Sequence, residues 1–197
     1  LGTNLGNRIV NLQSAIDEIN LSVGHVRKIS SVYKTRSWGF EGEDFYNICL
    51  EVSSSLTPEK MIKTVLDIER KLGRLRSTQQ GYNNRIIDID ILLFDDEIIF
   101  YNDLKVPHPE MLKRKFVLVP LTEIAPNVIH PIAKKTILIC LQNCAENGDI
   151  EKTDATLIRP ISLVEKYNYI AIEGNIGSGK TSLAKRIGDD FNAKLRS

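Results

Sequence analysis

The sequence predicts an α+β fold in which helices cover one face of a mainly antiparallel sheet. Apolar residues recur at steps of three and four over residues 5–19 and 61–72, which is the period of an amphipathic helix. Short stretches rich in β-branched and apolar residues lie around them, at 26–35, 45–52 and 85–94, and indicate strands. Two strand–helix–strand passages of this kind favour a ferredoxin-like sandwich.

Composition agrees with a soluble globular chain and excludes several other classes. The 197 residues are 42% hydrophobic and 26% charged, and the net charge of +1 gives no overall field for nucleic acid or anionic membranes. We therefore expect neither partner, and there is no apolar run long enough to span a bilayer and no signal peptide. Cys49, Cys140 and Cys144 lack a CxxC spacing and indicate buried free thiols in a reducing, cytoplasmic setting.

The first elements are the end of a strand, a helix and two strands. Gly2 and Thr3 end the strand, and residues 26–35 and 45–52 form the next two, separated by a polar loop over 37–44. The buried stripe of the helix comprises Leu5, Ile9, Leu12, Ile16 and Ile19. One face of the 45–52 strand carries Tyr46, Ile48, Leu50 and Val52. Phe45 and Asn47 share its opposite face.

The second helix begins at Thr57, whose hydroxyl is expected to cap it, with Pro58 at the first helical position. Its buried stripe comprises Met61, Val65, Ile68 and Leu72. Gly73 ends the helix, and residues 74–84 form a long polar loop before the 85–94 strand. A turn at residues 95–96 and a strand at 97–101 follow. The prolines between 107 and 131 predict short helices and loops, and the polar residues 146–166 predict a linker.

Two aspartates interrupt the apolar 85–94 stretch. Asp88 and Asp90 are two residues apart, so on a strand they share one face, about 6.5–7 Å apart. Buried carboxylates so close repel each other and require a cation, whereas the pair taken alone favours exposed carboxylates on a solvent-facing side of the strand. Basic residues on both sides favour a site for a nucleoside triphosphate with magnesium. These residues are Arg74, Arg76, Arg85, His108, Lys113, Arg114 and Lys115.

Several motifs follow one another in a fixed order through this part of the chain. They are Gly2-Thr3-Asn4-Leu5-Gly6, Phe45-Tyr46-Asn47, Glu69 with Gly73-Arg74-Leu75-Arg76, Arg85-Ile86-Ile87-Asp88-Ile89-Asp90-Ile91, Val106-Pro107-His108-Pro109 and Arg114-Lys115-Phe116-Val117-Leu118-Val119-Pro120-Leu121. In this order and spacing, residues 1–145 resemble the 6-hydroxymethyl-7,8-dihydropterin pyrophosphokinases of folate biosynthesis. The resemblance implies ATP-dependent transfer of diphosphate to the hydroxymethyl group of the pterin, with release of AMP.

The resemblance also implies a role for each matching residue. Asp88 and Asp90 would hold two Mg²⁺ ions and, with Arg74 and Arg85, carry catalysis. The ATP-binding positions would be Glu69, Arg74, Arg76, Arg85, His108 and Arg114. The pterin-binding positions would be Thr35, Ser37, Trp38, Phe45, Asn47 and Phe116. From the residues alone, Phe45 offers a ring for stacking, and Asn47, on the same face, offers a donor and an acceptor for a heterocycle edge. Without the resemblance, Phe45 and Phe116 would be assigned to the core.

The chain departs from the family pattern in two places. Asn83 and Asn84 replace a common Gly-Pro before Arg85, and Tyr82 replaces an aromatic that is often tryptophan, which affects loop flexibility. In the family a strand precedes Gly2 inside the sheet, so we expect this sequence to be a fragment of a longer protein. Without that strand, the stability of the fold would be in question.

A second motif lies near the C-terminus. Residues 169–172 predict a strand, and a helix carrying Leu183 and Ile187 follows. The intervening G-x-x-x-x-G-K-[ST] loop comprises Gly174, Gly177, Gly179, Lys180 and Thr181. Its amides would cradle phosphates, Lys180 would reach the β- and γ-oxygens, and Thr181 would hold magnesium. Residues 172–180 resemble the start of deoxynucleoside kinases, so residues 167–197 would be the truncated beginning of a fused kinase domain.

Three hypotheses about function follow. In the first, residues 1–145 are an active pterin diphosphotransferase with small-molecule substrates, fused to the start of a kinase. In the second, a deoxynucleoside kinase is the main activity of the full-length protein, and the front domain binds nucleotide or acts as a scaffold. In the third, the fragment is inactive because it lacks the interior strand. The nucleotide product, AMP or ADP, distinguishes the first two.

Overall fold

The computed structural model describes residues 1–36, 43–74, 84–101, 104–161, 171–175 and 177–191. The chain divides into two compact units, Leu1–Pro160 and Ile161–Ser197. The first unit combines helices with antiparallel sheets, which confirms the predicted α+β class. Among the described helices, none has both the length and the apolarity that a membrane crossing requires.

The described part of the first unit contains eight strands, four α-helices and one 3₁₀ turn. The strands are β1 (Gly2–Thr3), β2 (His25–Ile29), β3 (Tyr33–Thr35), β4 (Phe45–Asn47), β5 (Leu50–Ser53), β6 (Ile99–Tyr101), β7 (Leu104–Val106) and β8 (Ile150–Lys152). The helices are α1 (Arg8–Ser22), α2 (Pro58–Lys71), a 3₁₀ turn at Met111–Lys113, α3 (Lys115–Ile124) and α4 (Ile137–Gln142). The four-stranded sheet has the order β1-β4-β3-β8, and β2-β5 and β6-β7 form two antiparallel pairs.

Each of the two long strands predicted at 26–35 and 45–52 is split into two shorter strands, and the two breaks lie opposite each other. Ser30 N–H donates to the Cys49 carbonyl at 3.0 Å, while the Cys49 N–H donates to the Ser30 hydroxyl at 2.9 Å. A side chain therefore replaces one backbone partner, and the ladder is interrupted. On one side of this break the strands pair as β2 and β5, and on the other β3 and β4 join the four-stranded sheet.

Helix α1 confirms the predicted stripe at Leu12, Ile16 and Ile19, which are buried in the first core cluster. The assignment of Leu5 to this stripe was wrong, because Leu5 precedes the helix and is 41% exposed. Asn7 is the N-cap and accepts a hydrogen bond from the Val10 N–H at 3.2 Å. The cap therefore fixes the start of the helix two residues after Leu5.

Helix α2 begins with Pro58 at its first turn, as predicted, but the Thr57 side chain makes no capping hydrogen bond. The prediction that the Thr57 hydroxyl caps this helix was therefore wrong. At the other end Gly73 has φ +93°, and the N–H groups of Gly73 and Arg74 donate to the carbonyls of Arg70 and Glu69 at 3.1 and 2.9 Å. This is a Schellman turn, and it brings Arg74 back beside Glu69.

The predicted strand at 85–94 is wrong as an extended ladder. Only one antiparallel bridge forms, between Gly2 and Asp88, with N–H···O distances of 2.9 and 2.8 Å. The next amide, Ile89 N–H, donates to the carboxylate of Glu69 at 2.8 Å instead of to a strand. Only alternate residues of an antiparallel pair face one partner, so the Ile89 N–H points away from β1, and Glu69 takes the donor that a strand on the other side of the segment would use. The predicted turn at Asp95 and Asp96 is present and leads into β6.

The residues predicted as a linker, 146–166, differ from that expectation over their first half. Strand β8 pairs with β3, placing Ile150 opposite Thr35. The Thr153 N–H and hydroxyl then donate to the Val32 carbonyl at 2.9 and 3.1 Å, and Ile158 exchanges two hydrogen bonds with Gln13. The first unit therefore extends to Pro160. Residues 162–170 lie outside the described part of the chain.

Two core clusters support the sheet. The first lies between α1, α2 and the sheet and includes Ile87 and Ile89; the second surrounds α3 and α4. The three cysteines are free thiols, with Cys49 and Cys140 buried in the second cluster. These clusters fix the two walls between which the cavity described below opens.

Candidate active site

A cavity of about 780 Å³ opens where β1, β3 and β4 meet the 85–92 segment and the start of α3. Residues 145–150, just before and at the start of β8, complete its lining. The lining side chains of interest are Thr35, Phe45, Asn47, Arg85, Asp88, Asp90, Glu110, Lys113, Arg114, Phe116, Glu146 and Asp149. Apolar rings, an amide, carboxylates and guanidinium groups therefore share one concave surface.

The two aspartates both reach this cavity. Ile87 and Ile89 are buried on the core side, while Asp88 and Asp90 alternate with them and line the cavity. The period-two argument for a shared face therefore applies, although the segment is not a ladder strand. The Asp88 side chain is 19% exposed and that of Asp90 is 44% exposed, so neither carboxylate is closed off from the cavity.

Two guanidinium groups hold Asp88. Arg74 Nη1 lies 2.5 Å from one Asp88 oxygen, and Arg85 Nη1 contacts the other. His108 Nε2 lies 4.0 Å from an Asp90 oxygen. The other ring nitrogen of His108, Nδ1, accepts the Glu110 N–H at 3.2 Å, which directs Nε2 towards Asp90. Of the basic residues that the sequence placed around the aspartates, Arg74, Arg85 and His108 thus lie next to them in space.

Glu69 lies behind the aspartates, away from the cavity lining. Its side chain is 3% exposed, and its carboxylate accepts hydrogen bonds from the Ile89 N–H and from Arg74. Burial raises the pKa of Glu69, while the bonds from Ile89 and Arg74 act in the opposite direction. Glu69 therefore ties the end of α2 to the segment between the two aspartates.

The residues assigned to the pterin form the apolar half of the cavity. Phe45 on β4 and Phe116 on α3 line this half of the cavity. Asn47, at the other end of β4, also lines it and is buried. Asn47 Nδ2 donates to the Thr35 hydroxyl at 3.0 Å, which fixes the orientation of the amide. The Arg114 guanidinium lies over the Phe116 ring, 5.8 Å from its centroid. Such a surface suits a planar, polar-edged heterocycle.

Three predicted site residues, Ser37, Trp38 and Arg76, lie outside the described residues. Sequence reasoning gave no role to Asn4, which is fully buried and bonds to residues on two loops beside the cavity. It also missed Glu146 and Asp149, which belong to the stretch it assigned to a linker. A fully buried asparagine leaves no periodic signal, and Glu146 acts on a helix distant in sequence.

A metal site built only from protein side chains is not seen in the part of the chain that the structure describes, where no cluster of three or more His, Cys, Asp or Glu could hold an ion. The pair Asp88 and Asp90 nevertheless fits magnesium, because Mg²⁺ is usually bound by one or two carboxylates together with water and substrate phosphates.

The predicted phosphate loop lies in the second unit. Helix α5 (Lys180–Phe191) confirms the predicted helix, and Gly177 and Gly179 have φ values of +84° and +80°. Lys180 Nζ donates to the carbonyls of Gly174 and Asn175, the latter at 2.8 Å. Thr181 lies in the first turn. Residues 171 and 172 are not in a strand, and the rest of the predicted 169–172 strand lies outside the described residues.

Comparison with known proteins gives one consistent relationship. A family model described as 7,8-dihydro-6-hydroxymethylpterin-pyrophosphokinase (HPPK) matches residues 1–126. A 2-amino-4-hydroxy-6-hydroxymethyldihydropteridine pyrophosphokinase of Aquifex aeolicus is 43% identical over 138 residues, covering 70% of this chain and 84% of the relative. A protein of the same name from Synechocystis is 38% identical over 163 residues, covering 82% of this chain and 78% of the relative.

A solved structure supports the fold. The crystal structure of Plasmodium falciparum HPPK-DHPS with SDX-DHP aligns with a TM-score of 0.57 at 17% identity, and covers 72% of this chain and 41% of that one. This likeness bears on the fold alone. With the family model matched over 126 of the 197 residues and relatives up to 43% identical, the chain belongs to the 7,8-dihydro-6-hydroxymethylpterin pyrophosphokinase family.

Proposed function

We propose that this chain transfers diphosphate from ATP to the hydroxymethyl group of 6-hydroxymethyl-7,8-dihydropterin and releases AMP, as its family membership indicates. One observation carries the assignment of the site. The carboxylates of Asp88 and Asp90 and the aromatic–amide surface of Phe45, Asn47 and Phe116 line the same cavity. A phosphate chain and a heterocycle could therefore bind side by side.

The reaction makes and breaks one bond each at phosphorus and releases one proton. The hydroxymethyl oxygen bonds to the β-phosphorus and gives up its proton to the solution, the bond from that phosphorus to the bridging oxygen of the α-phosphate breaks, and AMP leaves with the electrons of that bond. Negative charge grows on the leaving oxygen, so fixed cationic groups aimed there stabilise the transition state more than the ground state. Arg74, Arg85 and Arg114 are our candidates, since each lies at the cavity or contacts a carboxylate that lines it.

Asp88 and Asp90 would hold magnesium, two ions by the family resemblance, with ATP phosphates as further ligands. When bound, magnesium neutralises phosphate oxygens and polarises the reacting group. Arg74 and Arg85 keep the Asp88 carboxylate in place at the cavity wall. His108 would contact the nucleotide, its ring oriented by the Glu110 N–H.

For Glu69 we propose a positioning role in place of the nucleotide contact that the resemblance implies. Its carboxylate is buried and accepts hydrogen bonds from the Arg74 guanidinium and the Ile89 amide. Through these two bonds it sets the guanidinium and the backbone between the aspartates. Arg76 is retained as an ATP contact by resemblance alone.

On the pterin side, stacking between Phe45 and Phe116 would bind the ring, and Asn47 would read its polar edge. The bond from Asn47 Nδ2 to Thr35 fixes which end of the amide is presented, so recognition would be directional. Ser37 and Trp38 are expected to complete this pocket.

The test is an assay with ATP, Mg²⁺ and 6-hydroxymethyl-7,8-dihydropterin, with the nucleotide product identified by chromatography. AMP formed in equal amount to the diphosphorylated pterin supports the proposal. Absence of AMP from a protein that unfolds cooperatively would overturn it and favour an inactive fragment.

A second candidate function concerns the second unit. We propose that residues 174–181 bind nucleotide phosphates as the start of a deoxynucleoside kinase domain. Two observations favour it: the helix begins at Lys180, and the positive φ angles of Gly177 and Gly179 place backbone amides in a loop before it. The decisive experiment uses a longer protein that contains the complete domain. ADP formed only when a deoxynucleoside is present would support this function.

A further inference from the structure

The segment 145–150 forms one wall of the cavity, although it lies beyond the residues that the family model matches. Ala145, Glu146, Gly148, Asp149 and Ile150 all line the cavity. The segment then enters β8, where Ile150 pairs with Thr35, itself a cavity residue bonded to Asn47. This wall is therefore anchored to the sheet at the pterin side.

The start of helix α3 faces the same cavity. Arg114 is its N-cap residue, and Phe116 and Val117 occupy its first turn and line the cavity. An N-cap side chain normally accepts a hydrogen bond from a free helix N–H. Arginine has only donors, and Arg114 accordingly makes no side-chain capping bond.

Glu146 supplies the missing acceptor from another part of the chain. Its carboxylate accepts the N–H of Lys115, the first residue of α3, across 31 positions in the sequence. A negative charge at this point also interacts favourably with the positive end of the helix dipole. The one side chain thus joins the cavity wall to the turn that carries Arg114 and Phe116.

We infer that Glu146 is a positioning residue for this reaction: it caps α3 from the opposite wall and so sets Phe116 and Arg114 for substrate binding. The inference rests on the proposed function. In the protein without substrate, Glu146 already holds the first turn of α3.

The test compares Glu146→Ala and Glu146→Gln with Thr136→Ala. Thr136 caps the neighbouring helix α4 by accepting the Ile139 N–H at 3.3 Å, and it does not line the cavity. Both alanine variants lose a helix cap, so both should unfold at lower denaturant concentration. Only the Glu146 change should alter the site.

For Glu146→Ala we expect the KM for the pterin to rise about five- to tenfold, the range that loss of one cap corresponds to, with a smaller change in kcat. Glu146→Gln keeps an acceptor and should recover most of the loss. Thr136→Ala should keep the wild-type KM. Hydrogen exchange of the peptide containing Lys115–Val117 should accelerate in Glu146→Ala and not in Thr136→Ala.

The outcomes separate the two claims. If wild-type protein makes no AMP, the proposed function fails, while the exchange measurement still tests the role of Glu146. If wild type is active and Glu146→Ala matches Thr136→Ala in both KM and exchange, the positioning role is refuted and Glu146 contributes only stability.

Discussion

Asn4 joins three segments at the edge of the cavity, and its replacement by alanine is the sharpest test of how the site is held together. The side chain is fully buried. Its Nδ2 donates to the Glu43 carbonyl at 3.3 Å and to the Asn84 side chain at 2.7 Å, and its Oδ1 accepts the Arg85 N–H at 2.7 Å. Glu43 and Asn84 belong to separate segments of the chain, and Arg85 lines the cavity and contacts Asp88.

The expected loss of stability follows from these three bonds. The two bonds donated by Asn4 contribute about 0.5–1.5 kcal/mol each, and the Arg85 N–H left without its acceptor costs about 1–3 kcal/mol. Asn4→Ala should therefore lower the free energy of unfolding by about 2–6 kcal/mol. For a protein of this size that corresponds to a fall in Tm of at least about 4 °C.

Catalysis should suffer more than stability alone explains, because the backbone that carries Arg85 loses one of the two hydrogen bonds that Asn4 makes to it. We expect kcat/KM for AMP release to fall about tenfold or more under conditions where the variant is fully folded. Urea unfolding followed by circular dichroism measures the free energy of unfolding. Steady-state kinetics at temperatures and urea concentrations below the unfolding transition measures kcat/KM.

Asn11→Ala is the matched control. The Asn11 amide donates to the Leu5 carbonyl at 2.8 Å and the Thr3 hydroxyl at 3.4 Å, and these two bonds do not involve residues 43, 84 or 85. It should lose about 1 kcal/mol and keep its kcat/KM. Equal kinetic losses in the two variants, or wild-type kinetics in Asn4→Ala, would refute the reasoning.

Three further predictions follow from the site. Asp90→Ala should abolish AMP release while leaving the urea midpoint unchanged, since the side chain is half-exposed; near-normal turnover would defeat the metal assignment. Burial raises the pKa of Glu69, so the folded state binds that proton more tightly and wild-type stability falls as pH rises between the unfolded and folded pKa values. Glu69→Gln should therefore gain stability relative to wild type over a pH series of urea unfolding curves, and an opposite slope contradicts the burial argument. Burial also raises the pKa of Cys49 to about 11, so iodoacetamide at pH 8 should label Cys144 long before Cys49, as peptide mass mapping can show.

The features that could be predicted from the sequence are those encoded by local periodicity. Ile16 and Ile19 on α1, and Val65 on α2, are buried as their spacing predicts. The alternation of Ile87 and Ile89 with the aspartates placed the carboxylates on one side even though no ladder forms. In each case the pattern reflects which face meets the core, and that depends on residues only a few positions apart.

The features that could not be predicted depend on single contacts between distant residues. The break in both long strands depends on the Ser30 hydroxyl meeting the Cys49 amide. The 85–94 segment gains no strand partner on the side away from β1, where Glu69, on a helix, takes the Ile89 amide. Each is one side chain replacing a backbone partner, and neither leaves a periodic signal in the sequence.

Strand β8 was missed for a different reason. It has three residues, two of them exposed, and no apolar alternation. Its pairing is determined by the open edge of β3 and by the Lys34–Glu151 ion pair, so a polar stretch that resembles a linker becomes a strand only beside its partner. The cavity wall that precedes it was missed with it.

The position of β8 bears on where a catalytic domain of this chain can be cut. A recombinant piece ending at residue 126, the limit of the family match, would retain both aspartates and the two cavity-lining phenylalanines, Phe45 and Phe116. It would nevertheless lack β8, so β3 would become an exposed edge strand, and exposed strand edges promote self-association. An expression boundary after Pro160 keeps that edge covered, so the compact unit is about a quarter longer than the 126 residues that the family model matches.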